Sequence, residues 1–435
     1  MYFQKHKAFD KIIGYEFIKD ELDQIADTLR NRDVYTKMDV KMPSGLLLYG
    51  EPGVGKTLMA TAMLEASGCP CYTCRKDQPD GDFIRTIRKA FSQAEKNAPA
   101  IVFLDDLDKF ANEDEDHRDA EEYVTVQSCI DDVKHKDVFV LATVNNMHKL
   151  PKSLRRAGRF DRLLKVDVPT GEDAVAIAQY YLRDKKLDDG LDISFVAKAL
   201  NGHTCAELET VINEAGLYAG YERADDITVE HFVRACMHVI YQVHGDDYDQ
   251  AMLARDGFSG MRTRTVVHEA GHAAVSEILR PGSVTIVSLL GSQRDSGFTA
   301  YNMESKTSEN SPLLDVLVSL AGMAAVEQEY GNRGYGNSND LDKVFRMVEA
   351  LVKENGVYGL CWTEHRFDNS NALLAQQEAV VAAKVEEYYC KVKEILSLNH
   401  AFFCDIIKKL SKKFVLTQMD LQEIRKKHYI IPFRG

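Results

Sequence analysis

Gly50-Glu-Pro-Gly-Val-Gly-Lys56-Thr57 follows the apolar run LLLY (46–49) and precedes the helix-forming stretch LMATAMLEA (58–66). A strand that enters a glycine loop and leaves through a helix is the setting in which this spacing binds phosphate. Glycines let the backbone close around an anion with its N–H groups turned inward. Lys56 can then reach the outer phosphates, and Thr57 can ligate Mg2+.

Outward from the loop, AIVFLDD (100–106) and DVFVLATVNN (137–146) are further β-rich runs, alternating with helical patterns such as Phe83 to Asn97. That rhythm predicts βαβ units on a parallel sheet, an α/β fold over residues 1–168. Such sheets bind ligands at the carboxyl ends of their strands. Asp105 and Asp106 end one apolar run there, and Asn145 ends another. Asp105 is expected to hold the water shell of Mg2+, Asp106 to polarise the attacking water and Asn145 to orient it. Asp106 also suits a helix cap. Strand patterns stop near Glu172, so residues 169–245 read as a small helical lid packed on the first domain. The polar HGDDYDQ (244–250) predicts a boundary. Residues 246–435 read as a mainly α domain, apart from Val284–Leu290 and Gly297–Tyr301, which fit a small sheet or hairpin.

The third domain contains His268-Glu-Ala-Gly-His272 inside RTRTVVHEAGHAAVSEIL (262–279). A spacing of four on a helix puts both imidazoles on one face, where they can clamp a single Zn2+. Glu269, rotated slightly off that face, can take a proton from the attacking water and deliver it to a leaving amine. A site of this kind needs a third protein ligand. The chain offers Asp340, in GNSNDLDKVFRMVEAL (336–351), whose other reading is a helix N-cap.

The 435 residues suggest about three domains, and 45% hydrophobic with 28% charged residues is a globular balance. A net charge of -13 argues against a nucleic-acid partner, which needs a clustered positive surface. Nine scattered cysteines, an odd number, fit a reducing compartment better than a disulfide framework. Cys69, Cys71 and Cys74 cluster without a second Cys or His pair to complete a zinc site. The acidic run Asn112 to Glu122 reads as a solvated surface. The longest apolar candidate, Leu313 to Val326, is interrupted by Asp315 and falls short of the roughly 18 residues that a membrane span requires, so no span is expected in this chain.

In order along the chain, FDKIIGYE (9–16), GEPGVGKT (50–57), FLDD (103–106), VNN (144–146), GRFDR (158–162), HEAGH (268–272) and SNDL (338–341) resemble the FtsH family of AAA+ proteases. The similarity runs from about Phe9 to Tyr358. It implies ATP, Mg2+ and Zn2+ as cofactors, a homo-hexameric ring, and unfolded or misfolded proteins as substrates. It makes Asp340 the third zinc ligand and puts Glu327, in LAGMAAVEQEYG (320–331), beside the metal. Ile13, Gly14, Gly50, Gly53, Val54, Gly55, Leu58 and Ala206 become nucleotide contacts. Arg156 and Arg159 of LRRAGRFDR (154–162) would reach the nucleotide of a neighbouring subunit. Outside a ring, Arg159 would instead pair with Asp161. The family is membrane-anchored through its amino-terminal side, so the expected location is cytoplasmic for the chain as given, or the cytoplasmic face of a membrane with such an anchor.

Three departures from the family pattern bear on function. Asp106 stands where the family has glutamate, which withdraws the carboxylate by one methylene. Positioning errors near 1 Å can cost about a hundredfold in rate. Cys205 replaces a glycine near the nucleotide. The stretch RKDQPDGDF (75–83) is shortened and has no aromatic residue at the position that grips substrate; Phe83 fits a helix core or a pore. Two rivals to an ATP-driven zinc protease therefore stay open. One is an ATP-regulated remodelling or holding factor with weak peptidase activity, and the other a peptidase for flexible peptides that uses ATP mainly to assemble.

Overall fold

Parallel strands covered on both faces are apolar along their whole length, and three runs of this chain meet that condition. In the computed structural model they form β1 (Gly45–Tyr49), β3 (Ala100–Leu104) and β4 (Val138–Val144), with β2 (Cys71–Cys74) and β5 (Arg162–Lys165) at the edges. The structure describes residues 6–39, 41–76, 80–111, 120–156, 158–243, 263–291, 297–302, 311–334, 338–360 and 370–433. The boundary expected at 244–250 and most of the acidic run at 112–122 lie outside the described residues.

Two units fold within the chain, residues 1–184 with 202–210 and residues 185–201 with 211–435. In the first, the sheet order is β2-β3-β4-β1-β5 and every pairing is parallel. Register sets the site: Tyr49 pairs with Val144, and Leu104 with Ala142, so the carboxyl ends of β1, β3 and β4 share one edge. The longer helices wholly within this unit are α1 (Glu16–Arg30), α2 (Lys56–Ser67), α3 (Asp80–Lys96), α4 (Glu121–Asp132) and α5 (Gly171–Leu182). Phe83 of α3 is fully buried, with its ring 4.7 Å edge-on from Phe110. That fixes it as core, which was the first of its two readings.

Residues 169–245, expected as one helical part, contribute to both units. They hold α6 (Ile193–Ala199), α7 (Cys205–Glu222) and α8 (Val229–Val239). Farther along the second unit come α9 (Thr263–Leu279), α10 (Ser311–Tyr330), α11 (Ser338–Glu349), α12 (Asn371–Leu398), α13 (His400–Lys413) and α14 (Gln418–Arg425). The expected small sheet is present as β6 (Val284–Ser288) against β7 (Phe298–Tyr301). A third strand, β8 (Val415–Thr417), joins β6 from the region read as wholly helical. Three residues carry too little periodicity to announce a strand, and β8 exists because β6 has a free edge to satisfy. Among the described residues, no helix is long and apolar enough to cross a membrane.

Helices α9 and α10 approach closely because small residues face one another. A Cβ built on Gly271 would lie 2.5 Å from Ala325 Cβ and 2.7 Å from the Ala321 carbonyl oxygen. Behind α9, the buried Glu277 carboxylate accepts from the backbone of Gly282 at 2.9 Å and Val284 at 3.1 Å, tying the end of the helix to β6. Gly271→Ala should therefore destabilise the fold by about 1–3 kcal/mol through overpacking, although alanine ordinarily gains about 1 kcal/mol over glycine in a helix. Denaturant unfolding of the variant, with Ala325→Gly added as a compensating change, checks this. A more stable single variant would contradict it.

Candidate active sites

The second unit brings together residues that lie far apart in sequence. His268 and His272 project from one face of α9, and Asp340 sits in the first turn of α11. Their Nε2 atoms are 3.0 Å apart and lie 3.2 and 3.3 Å from Asp340 Oδ2. A tetrahedral zinc ion bonded at about 2.0–2.1 Å separates its ligand atoms by roughly 3.3 Å, so the three donors fit that ion. Among the described residues this is the group of His, Cys, Asp and Glu side chains that converges on a possible metal. Cys69, Cys71 and Cys74 do not form such a group, and their thiols are free.

The surrounding chain fixes the donors. His272 Nδ1 lies 2.7 Å from the Val318 carbonyl oxygen of α10, which assigns the proton to Nδ1 and leaves Nε2 to face the cluster. Gly322, one turn farther along α10, has no room for a side chain: a Cβ there would meet both imidazole rings at 2.5–2.6 Å. Burial works to raise the Asp340 carboxyl, but the adjacent His268 and His272 imidazoles hold it well below the usual carboxylate range.

Glu269 is 6% exposed. Burial pushes its carboxyl up, while the charges of His272 and His268 and a hydrogen bond from Thr299 pull it down; the net shift is upward. Thr299 Oγ1 donates to Glu269 Oε2 at 2.8 Å. These residues line a cleft of about 690 Å³ formed by α9, α10 and α11 and bordered by β7 through Phe298, Thr299 and Tyr301. Within its sheet β7 is an edge strand. Thr299 and Val318 were missed from sequence, because neither a lone threonine nor a backbone carbonyl carries a motif. Glu327 is not among the residues that line the cleft; its carboxylate accepts from Tyr389 and, at 3.2 Å, from Lys393, both of α12, and from Arg333 at 3.0 Å.

In the first unit, the loop after β1 wraps a cavity of about 600 Å³. Ile13, Gly53, Val54, Gly55, Lys56, Thr57, Leu58 and Ala206 line it, as do Asp106 and Asn145. Gly50 and Gly14 shape its frame. A Cβ on Gly50 would fall 2.0 Å from the Val166 carbonyl oxygen, and the left-handed φ of 68° at Gly14 lets Tyr15 N reach Asp173 at 2.8 Å. Lys56 Nζ donates to the carbonyls of Gly50 and Glu51, at 2.9 and 2.7 Å, and burial lowers its pKa.

Asp105 is 5% exposed and accepts from Thr57 Oγ1 at 3.1 Å and Thr143 Oγ1 at 2.7 Å. Asp106 adopts a left-handed backbone, with φ 54° and ψ 50°. Its Oδ1 accepts from Asn145 Nδ2 at 3.0 Å, and its Oδ2 from Lys109 Nζ at 2.7 Å. Asp108, also missed, accepts from the backbone N–H groups of Asn145 and Asn146, both at 3.0 Å, and so fastens the end of β4 to β3.

Arg156 is exposed, and neither Arg156 nor Arg159 lines this cavity. The pairing of Arg159 with Asp161 gives way to one with Asp131, through Nη2 at 2.7 Å and Nε at 3.2 Å. Asp161 is taken up by the backbone N–H groups of Gly158 at 2.6 Å and Ser44 at 2.7 Å.

Both halves match known families. Residues 46–168 match the ATPase family associated with various cellular activities (AAA), and residues 259–424 match peptidase family M41. The ATP-dependent zinc metalloprotease FtsH 3 of Sphaerobacter thermophilus is 30% identical over 403 residues, covering 90% of this chain and 81% of that protein. FtsH of Halothermothrix orenii is 29% identical over 444 residues, covering 93% of this chain and 68% of the relative. FtsH 2 of Symbiobacterium thermophilum is 29% identical over 446 residues, with 96% and 74% covered. With two candidate sites built on separate units and a likeness that spans nearly its whole length, this chain belongs to the FtsH family of ATP-dependent zinc metalloproteases.

Proposed function

We propose that this protein hydrolyses peptide bonds at His268, His272 and Asp340 with Zn2+ bound between them, and that ATP turnover at the Lys56 loop delivers its substrates. The observation that carries the reading is the ligand triangle with sides of 3.0–3.3 Å beside the buried Glu269. Zinc supplies Lewis acidity there and lowers the pKa of water. Glu269 accepts the proton of the attacking water and passes it to the leaving amine, and Thr299 aims the carboxylate for both transfers. An extended polypeptide adds along the free edge of β7, the strand that borders the cleft.

At the other site Lys56 and Thr57 bind the β- and γ-phosphates and Mg2+, Asp105 holds the ion's water shell, and Asp106 with Asn145 orients the attacking water. Arg156 and Arg159 act on a neighbouring subunit in a homo-hexameric ring, so that Arg159 exchanges Asp131 for a phosphate across the interface. The division of labour follows residues 1–168 for the ATPase, 169–245 for its lid and 246–435 for the peptidase. Substrates are unfolded or misfolded proteins, and the site of action is the cytoplasm or the cytoplasmic face of a membrane.

Cleavage of an unfolded protein by the zinc-loaded enzyme, compared with ATP, with ADP and with a non-hydrolysable analogue, tests the reading. Cleavage that requires turnover is expected. Equal cleavage with every nucleotide would leave a peptidase that uses ATP for assembly, and binding without cleavage would leave the holding factor. Glu269→Gln should lower the cleavage rate by about 10²- to 10⁴-fold with zinc content unchanged. Gly322→Ala and Asp340→Asn should lose zinc by elemental analysis while the far-ultraviolet circular dichroism spectrum is kept. Full zinc occupancy in both variants would remove the ligand assignment.

A further inference from the structure

We propose that Lys109 is a ligand for the terminal phosphate of the nucleotide, a cation with which this chain separates ATP from ADP. The proposal rests on the reading of the Lys56 loop as a nucleoside triphosphate site. Four observations support it.

The first is placement. Lys109 lines the same cavity as Lys56, Asp106 and Asn145. Tyr180 and Tyr181 supply aromatic surface for a base elsewhere in the cavity, while Asp106 and Asn145 stand at the carboxyl ends of β3 and β4, where the outermost phosphate of a triphosphate belongs. The second is backbone. The left-handed turn at Asp106 starts the short 3₁₀ helix Leu107–Lys109, and three residues of it bring the ammonium back over the Asp106 carboxylate, 2.7 Å from Oδ2.

The third is competition among the cations of the cavity. Lys11 is bound to Glu65 at 2.6 Å, on the outside of the fold. Lys56 serves the carbonyls of its own loop. Of the three cations that line the cavity, Lys109 is the one held by a residue of the hydrolytic set itself; Arg75, which is not part of the lining, pairs with Asp105 at 4.0 Å. The fourth is availability: the Lys109 side chain is 62% exposed, against 19% for Asp106, so it can turn from one partner to the other without unpacking a core.

A terminal phosphate carries more negative charge than one carboxylate and offers three acceptor oxygens, so it draws the ammonium away from Asp106. With ADP no such group arrives, and Lys109 stays where it is. The exchange also frees Oδ2 of Asp106 for water while Asn145 keeps Oδ1 in place. Lys109 thus recognises the phosphate and releases the carboxylate in one movement.

Calorimetric titration of the full chain with the Mg2+ complexes of ADP and of a non-hydrolysable ATP analogue tests this. Lys109→Met should weaken the ATP analogue about tenfold or more, in line with a hydrogen bond between charged groups, with ADP affinity unchanged within about twofold. Lys109→Arg should restore the difference. Asp106→Asn, which removes the competing partner, should tighten the ATP analogue, and the gain should vanish in the double variant. Equal weakening of both nucleotides by Lys109→Met, or of neither, overturns the proposal and leaves Lys109 a surface ion pair. Lys56→Ala distinguishes the two levels: if it still binds both nucleotides normally, the nucleotide-site reading itself fails.

Discussion

The peptidase site depends on how closely two helices can approach. α9 carries both histidines, but imidazoles on a bare helix have rotamer freedom and no fixed tautomer. α10 limits both by lying against them: Val318 O on Nδ1 fixes the tautomer of His272, and Gly322 confines the two rings. Any side chain at Gly322 would displace the rings by more than a metal site tolerates, since ligand distances are set within a few tenths of an ångström. The glycine inside the HEAGH motif answers the same constraint from the other helix, through its contact with Ala321 and Ala325. The small-residue run LAGMAA of α10 is therefore the complement of the motif, although it contains no ligand.

A comparable economy governs the nucleotide site. Parallel pairing in register brings three strand ends to one edge, and short polar side chains lock them together: Thr143 bridges Asp105 and the backbone of Asp106, and Asp108 holds the backbone of Asn145 and Asn146. These bonds lie within the strand ends themselves, so the positions of Asp105, Asp106 and Asn145 depend on the sheet and not on the bound nucleotide. That matters for a carboxylate shortened by one methylene. Asp106 cannot reach farther by flexing, because both of its oxygens are already engaged. Its distance from water is adjusted by its partners, and Lys109 is the one that can leave.

Much of this was legible in sequence where chemistry imposes a spacing. The phosphate loop, the two histidines one turn apart and the apolar strands each follow from a periodicity or a contact that admits few residue types. The candidate third ligand was weaker by this measure: Asp340 lies 68 positions beyond His272, and a single aspartate before a helix is consistent with an N-cap. Illegible were the groups that act through another residue. Thr299, Val318 and Asp108 each hold a functional atom in place by one hydrogen bond or two, and nothing in their neighbours marks them. Glu327 is a different case. The resemblance puts this acidic residue, five positions beyond Gly322, beside the metal, and in the structure its carboxylate is engaged by Arg333, Lys393 and Tyr389.

One partner of Glu327 also borders the cleft. Arg333 bridges Glu327 and Glu386, and its guanidinium lies 4.6 Å from the centre of the Tyr389 ring. One cation thereby joins the end of α10 to α12 by two ion pairs and a ring contact, and it lines the cleft as well. The individual surface pairs contribute little, typically under about 1 kcal/mol each, so their value is geometric. They fix the guanidinium at the border of the cleft, between the end of α10 and α12. α11, which carries Asp340, packs against both of those helices. The candidate ligand triangle is thus set on one side by the glycine contact between α9 and α10, and on the other by the packing of α11 on the pair of helices that Arg333 joins.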